Sequence, residues 1–126
     1  KSLLTLIREQ RHHGLRVIIS TQEPTVVPPV LLDLCSVAIL HRFSSPSWWS
    51  HICDHVSADF GGSDAFDKIV RLRTGEAIVL APSGLGVFDQ SSKDMGASLE
   101  QFGRRYVITR TRCRITADGG ASILVV

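Results

Sequence analysis

Between Gly14 and Pro24 the chain reads GLRVIISTQEP. No other stretch restricts the fold as much. Leu15 to Ile19 is a short run rich in Val and Ile, bounded by a glycine and by polar residues. That pattern predicts a strand buried on both faces, as in a parallel sheet covered by helices. The run then stops on Ser20, Thr21 and Gln22 before a proline. A strand buried for packing alone has no use for a hydroxyl and an amide at its carboxyl end. In open α/β sheets, however, that end is where ligands bind.

The flanking sequence predicts the elements around this strand. Ser2 to His13 carries Leu3, Leu4, Leu6 and Ile7 on an apolar stripe, and Gly14 suits the position just past a helix end. Pro24, Pro28 and Pro29 forbid regular structure until a short helix, Val30 to Cys35, that Pro29 can open. A second buried strand follows over 36–43, SVAILHRF. Ser45 and Pro46 then start a helix running to about Val56. Gly61-Gly62 breaks it, and Ser63 or Asp64 caps another helix to about Leu72. Thr74-Gly75 turns into a third strand, EAIVLAP, and GVFD after the Ser83-Gly84 turn can pair back on it as a hairpin. Residues 90–103 read as a loop or linker with a helical turn at 98–102. Tyr106 to Thr116 reads as a strand, Asp118-Gly119-Gly120 as a turn, and Ala121 to Val126 as its returning strand. Helix–strand alternation of this kind predicts an α/β layer with a parallel sheet. It also puts Ser20, Thr21, Gln22, His41 and Arg42 at the ligand edge.

At 126 residues the chain is long enough for one small domain, and 44% hydrophobic and 21% charged residues are globular values. A net charge of +2 is too small to imply nucleic acid, although eleven of the fourteen basic residues are arginine, the side chain suited to bidentate contact with phosphate or carboxylate. Cys35, Cys53 and Cys113 are scattered and odd in number, which points to a reducing compartment, cytoplasmic or nuclear. No apolar run approaches 18 residues, so no membrane span is expected. The chain opens on Lys1 inside a predicted helix, which leads us to expect a fragment or processed product.

Three stretches, REQRHHGLRVIISTQEP, LLDLCSVAILHRFSSPSWWSHI and LRTGEAIVLAP, together resemble the C-terminal half of HerA/FtsK-type P-loop ATPases, a group that includes conjugative coupling proteins. The resemblance covers about Leu3 to Pro82. It implies a fold class: α/β, the C-terminal half of a RecA-like P-loop NTPase sheet over 1–89. A loop over 90–103 and a β-hairpin extension over 104–126 would follow. It further implies ATP and Mg²⁺ as cofactors of a complete protein, a homo-oligomeric ring, and DNA or protein as the translocated partner. The glycine-rich Lys-Ser/Thr loop and the Asp-Glu pair that holds Mg²⁺ do not occur in this sequence, so the chain by itself is expected to be inactive.

The resemblance also implies site residues. Gln22 would sense the γ-phosphate or orient the attacking water, since an amide both donates and accepts without adding charge. Arg11, eleven residues earlier, would act on the nucleotide of a neighbouring subunit, with Arg8 as the alternative finger. Arg42 and Thr21 would lie beside the nucleotide. Each has a plainer reading: Gln22 as the start of a solvated loop, Arg11 as a cation at a helix C-terminus, Arg42 as an edge salt bridge. Gly75 is expected to supply a tight turn, and Glu76 to be structural.

Other features admit two readings. His51 and His55, four apart on one helix with Cys53 between, have no accompanying motif, and a partly exposed helix face competes with a metal site. Of Trp48 and Trp49, one is expected in the core and the other partly exposed. Arg110, Arg112 and Arg114 share one face of the C-terminal strand, with Arg104 and Arg105 nearby, as either a solvated face or a phosphate track. An alternative function follows: a nucleic-acid-binding or interaction module derived from a degenerate ATPase.

Overall fold

The computed structural model describes residues 2–56, 58, 59, 64–88, 96–113 and 115. Among these residues, four α-helices and five strands follow the order α1 (Leu3–Glu9), α2 (Pro29–Asp33), β1 (Ala38–Leu40), α3 (Pro46–His55), α4 (Asp64–Val70), β2 (Glu76–Leu80), β3 (Leu85–Phe88), β4 (Ser98–Gln101) and β5 (Tyr106–Arg110), with a 3-10 turn at Pro24–Val26 before α2.

Local chemistry accounts for the helix ends. Ser2 caps α1 by accepting from the Thr5 N–H at 3.3 Å. The Leu15 N–H reaches back to the Gln10 carbonyl at 2.9 Å. Gly14 supports this with a φ of 63°, a left-handed conformation that a Cβ disfavours. Pro29 occupies the first turn of α2 and Pro46 that of α3, where no intrahelical N–H is needed. Ser45 caps α3 through the Trp48 N–H at 3.4 Å.

The sheet is antiparallel, which corrects the expectation of a parallel, RecA-like arrangement. Its order is β1-β2-β5. β1 pairs with β2 through Ile39↔Val79, and β2 with β5 through Ile78↔Ile108. The connection explains the direction. One helix between two strands returns the chain to its starting end and gives a parallel pair. Here α3 and α4 both intervene, and β2 enters at the end where β1 left. What stands is a mixed α/β chain with small antiparallel sheets.

Further expectations change. Leu15 to Ile19 belongs to no strand, and Ile18 is 94% exposed. A strand exists only through its neighbours, and β1 spends its one described pairing on β2. β3 does not fold back on β2. It pairs with β4 through Val87↔Leu99, and β4 occupies the stretch read as a helical turn. Among the described strands, β5 is an edge of the main sheet, and it ends at Arg110. The proposed returning strand at 121–126 lies outside the described residues.

Two apolar clusters result. The larger holds Ile69, Leu72, Ile78 and Leu80, with Leu40, Phe43, Trp49 and Tyr106 packed around them. The smaller holds Ile7, Val27 and Leu31 between α1 and α2. Of the two tryptophans, Trp49 packs against the larger cluster, as expected of one of the pair, and both are half-buried. Trp48 meets Phe43 at 6.0 Å and Trp49 meets Phe66 at 5.9 Å between ring centroids. The β3–β4 hairpin has its own packing. Phe102 lies across Gly86, where an added Cβ would come within 3.0 Å of its ring, and stands edge-on to Phe88 at 5.4 Å.

Candidate functional site

The polar triplet after the Leu15–Ile19 segment forms a loop that largely satisfies itself. The Thr21 hydroxyl donates to the Glu23 carbonyl at 2.9 Å and accepts from the Glu23 N–H at 3.1 Å. Thr25 donates to the Glu23 carboxylate at 2.8 Å. This is the local bonding by which Ser and Thr stabilise turns. It commits the Thr21 hydroxyl to the backbone. Gln22, at the bend itself, is exposed and makes no described hydrogen bond, so its amide faces outward with both functions available.

Arg11 is exposed in the turn that closes α1. With Arg8, Ile7, Gln10 and Leu34 it borders an open hollow of about 310 Å³. The two candidate fingers therefore sit on one rim, Arg8 on the last turn of α1 and Arg11 in the turn beyond it, where the helix ends earlier than the predicted His13. Arg42 is exposed beyond the end of β1. Among the described residues, no hydrogen bond or ion pair joins Gln22, Thr21, Arg11 and Arg42 to one another.

Beside them lies an apolar groove of about 440 Å³, walled by Arg16–Ile19 on one side and by Val37 and Ile39 on the other, with Ile7 and Leu34 between. Ile18, Val37 and Ile39 are 94%, 52% and 59% exposed. That is a contiguous apolar surface rather than scattered exposed side chains, the kind that marks an interaction site.

A second polar cluster escaped the sequence reading. His55 Nδ1 stands 3.0 Å from Asp33 Oδ1, joining α3 to α2. Both line a cavity of about 150 Å³ with Cys35, Ser36 and Val56. Asp33 and His55 are 22 residues apart, and no local spacing rule pairs them. Burial raises the Cys35 and Cys53 thiols above their ordinary value, the latter helped by the Asp54 carboxylate. The Cys35 sulfur, though its residue is exposed overall, donates to the Leu31 carbonyl at 3.1 Å. Neutral thiols of this sort are poor nucleophiles. Among the described residues, no three His, Cys, Asp or Glu side chains converge as metal ligands, and no helix is long and apolar enough to cross a membrane.

The turn before β2 is structural. Gly75 has a φ of 83°, and the Glu76 carboxylate accepts from the Arg73 N–H at 2.8 Å. No protein-family model matches the chain, nor does any curated protein or solved structure.

Proposed function

We propose that this chain is the C-terminal part of a HerA/FtsK-like P-loop ATPase that couples ATP hydrolysis, with Mg²⁺, to moving DNA or protein through a homo-oligomeric ring in the cytoplasm or nucleus. In this reading Gln22 senses the γ-phosphate in cis, Arg11 reaches a nucleotide held by the neighbouring subunit, and Thr21 and Arg42 flank the nucleotide. The observation that supports it is the apolar groove along Arg16–Ile19 and β1. Val17, Ile18 and Ile19 lie outside the helices and strands, and among the described residues no strand pairs with them, which suits the segment to join a larger sheet. Gln22 and Arg42 each follow one of the two walls of that groove, and both are exposed.

The test uses the complete gene product. Arg11→Ala and Gln22→Ala should each lower ATP turnover by about 10²-fold or more while leaving ATP affinity within about threefold, because an arginine finger acts on the transition state. Mixing Arg11→Ala subunits with subunits defective in phosphate binding should restore turnover, since each supplies what the other lacks. Unchanged turnover in both variants, or a complete product with no glycine-rich Lys-Ser/Thr loop, overturns the reading.

A further inference from the structure

The arginines at the end of the chain are divided by the sheet in a way that no spacing shows. Arg105 belongs to the β3–β4 hairpin. Its guanidinium lies 3.8 Å above the Phe88 ring and 2.7 Å from the Glu100 carboxylate. Arg110 and Arg112 lie at the opposite end of β5. The β2–β5 register sets Glu76 beside Arg110, and the Thr111 N–H donates to the Gly75 carbonyl at 2.7 Å. That pairing brings the Arg71–Arg73 turn to the same end of the sheet. All four side chains are exposed. Among the described residues, none has a carboxylate within ion-pairing distance. The nearest acid in register, Glu76, is turned to the Arg73 N–H. Asp64 and Asp67 lie further back, in the first turn of α4.

Among the described residues, nothing pairs with the outer side of the backbone beside these arginines. Gly75 and Thr111 form a hydrogen-bonded pair, and antiparallel ladders alternate. Ile108 and Arg110 therefore direct their N–H and C=O groups away from β2, and no described strand lies beyond β5. Arg112 follows Arg110 by two residues, just past the end of β5, the spacing that returns a side chain to the same face about 7 Å on wherever a partner extends the strand. Ile108, on the same face, is 51% exposed, and Val107, on the other, is 39% exposed.

We propose that the outer edge of β5 docks an extended acidic segment of a partner protein, which adds as a strand beside Ile108 and Arg110 and sets alternate carboxylates against Arg110 and Arg112. Strand addition satisfies the open amides and carbonyls, while side chains at alternate positions give specificity. Opposite charges across a strand pair stabilise it, and arginine favours the planar bidentate contact a carboxylate offers. An apolar residue of the same segment covers Ile108. A nucleic-acid backbone could meet the guanidiniums, but it would leave both the strand edge and Ile108 unused, which is why the peptide is the better fit.

The experiment is fluorescence anisotropy on the full chain with a labelled peptide Glu-Thr-Glu-Thr-Val, which as an added strand sets its two glutamates and its valine on one face. We expect saturable binding. Arg110→Ala with Arg112→Ala should weaken it at least tenfold, and Arg104→Ala, at the other end of β5, should leave it within twofold. Both arginines are exposed, and unchanged circular dichroism would show that the double variant still folds. The same peptide N-methylated on alternate residues keeps its charge but cannot pair as a strand, and it should also lose at least tenfold. Equal binding of the methylated peptide would reduce the site to plain charge attraction and overturn the proposal. So would the absence of peptide binding, or tighter binding of an oligothymidine strand than of the peptide.

Discussion

The Nε2 atom of His51 is buried on α3 with no hydrogen-bond partner among the described residues, and its ring stands edge-on to His55 at 5.4 Å. A buried polar atom left unpaired costs about 1–3 kcal/mol, and an aromatic ring of similar shape keeps the contact without that cost. His51→Phe should therefore stabilise the chain by about 1 kcal/mol, read as a rise of a few degrees in Tm. An unchanged or lowered Tm would mean that the nitrogen is satisfied in solution. At this scale much was legible in the sequence. Gly14, Gly75 and Pro46 each do what their covalent chemistry dictates, because a positive φ or a missing N–H acts within one or two residues. The Asp33–His55 pair was not legible, since its partners meet only when α2 packs on α3.

At the scale of elements, the main core depends on α4 lying against β2. Ile69 and Ile78 are fully buried. Ile69→Ala should cost about 2–5 kcal/mol through lost burial and the cavity left behind, measured as a drop in the urea midpoint with an unchanged slope. A loss under about 1 kcal/mol would show that α4 is not docked in this way. Helices α2, α3 and α4 were readable because proline, serine and the apolar period signal them locally. Strand direction was not. The sequence shows helix, strand, helix, strand, helix, helix, strand, and the doubled helix before Glu76 is the feature that reverses β2. Alternation alone pointed to a parallel sheet, because it counts element types and not the number of passes along the sheet. Strand β4 was missed for a related reason. Ser98–Gln101 has weak strand propensity and owes its conformation to β3 opposite.

For the molecule as a whole, the dominant feature is the groove lined by Ile18, Ile19, Val37 and Ile39. Exposed apolar surface beside an open strand edge favours association. The isolated chain should self-associate as its concentration rises, seen by light scattering. Ile18→Glu should suppress this while changing stability by less than about 0.5 kcal/mol, because Ile18 is 94% exposed and contributes little to the folded chain. A scattering profile that Ile18→Glu leaves unchanged would locate the association elsewhere. The exposure of Gln22, Arg11 and Arg42 was legible, because it follows from turns and element ends that the sequence marks. Their relation in space was not, nor was the commitment of the Thr21 hydroxyl to its own loop. By itself the sequence determined where helices begin and end, where the chain must turn, and that its composition suits a mixed α/β layer. These depend on dihedral preferences and side-chain chemistry within a few residues. Only the tertiary structure decided that the sheet is antiparallel, that Leu15–Ile19 stays outside it, and that Arg110 and Arg112 gather beside the Arg71–Arg73 turn. Those outcomes rest on hydrogen bonds and packing between residues tens of positions apart, and a local pattern carries no record of which partner a strand will find.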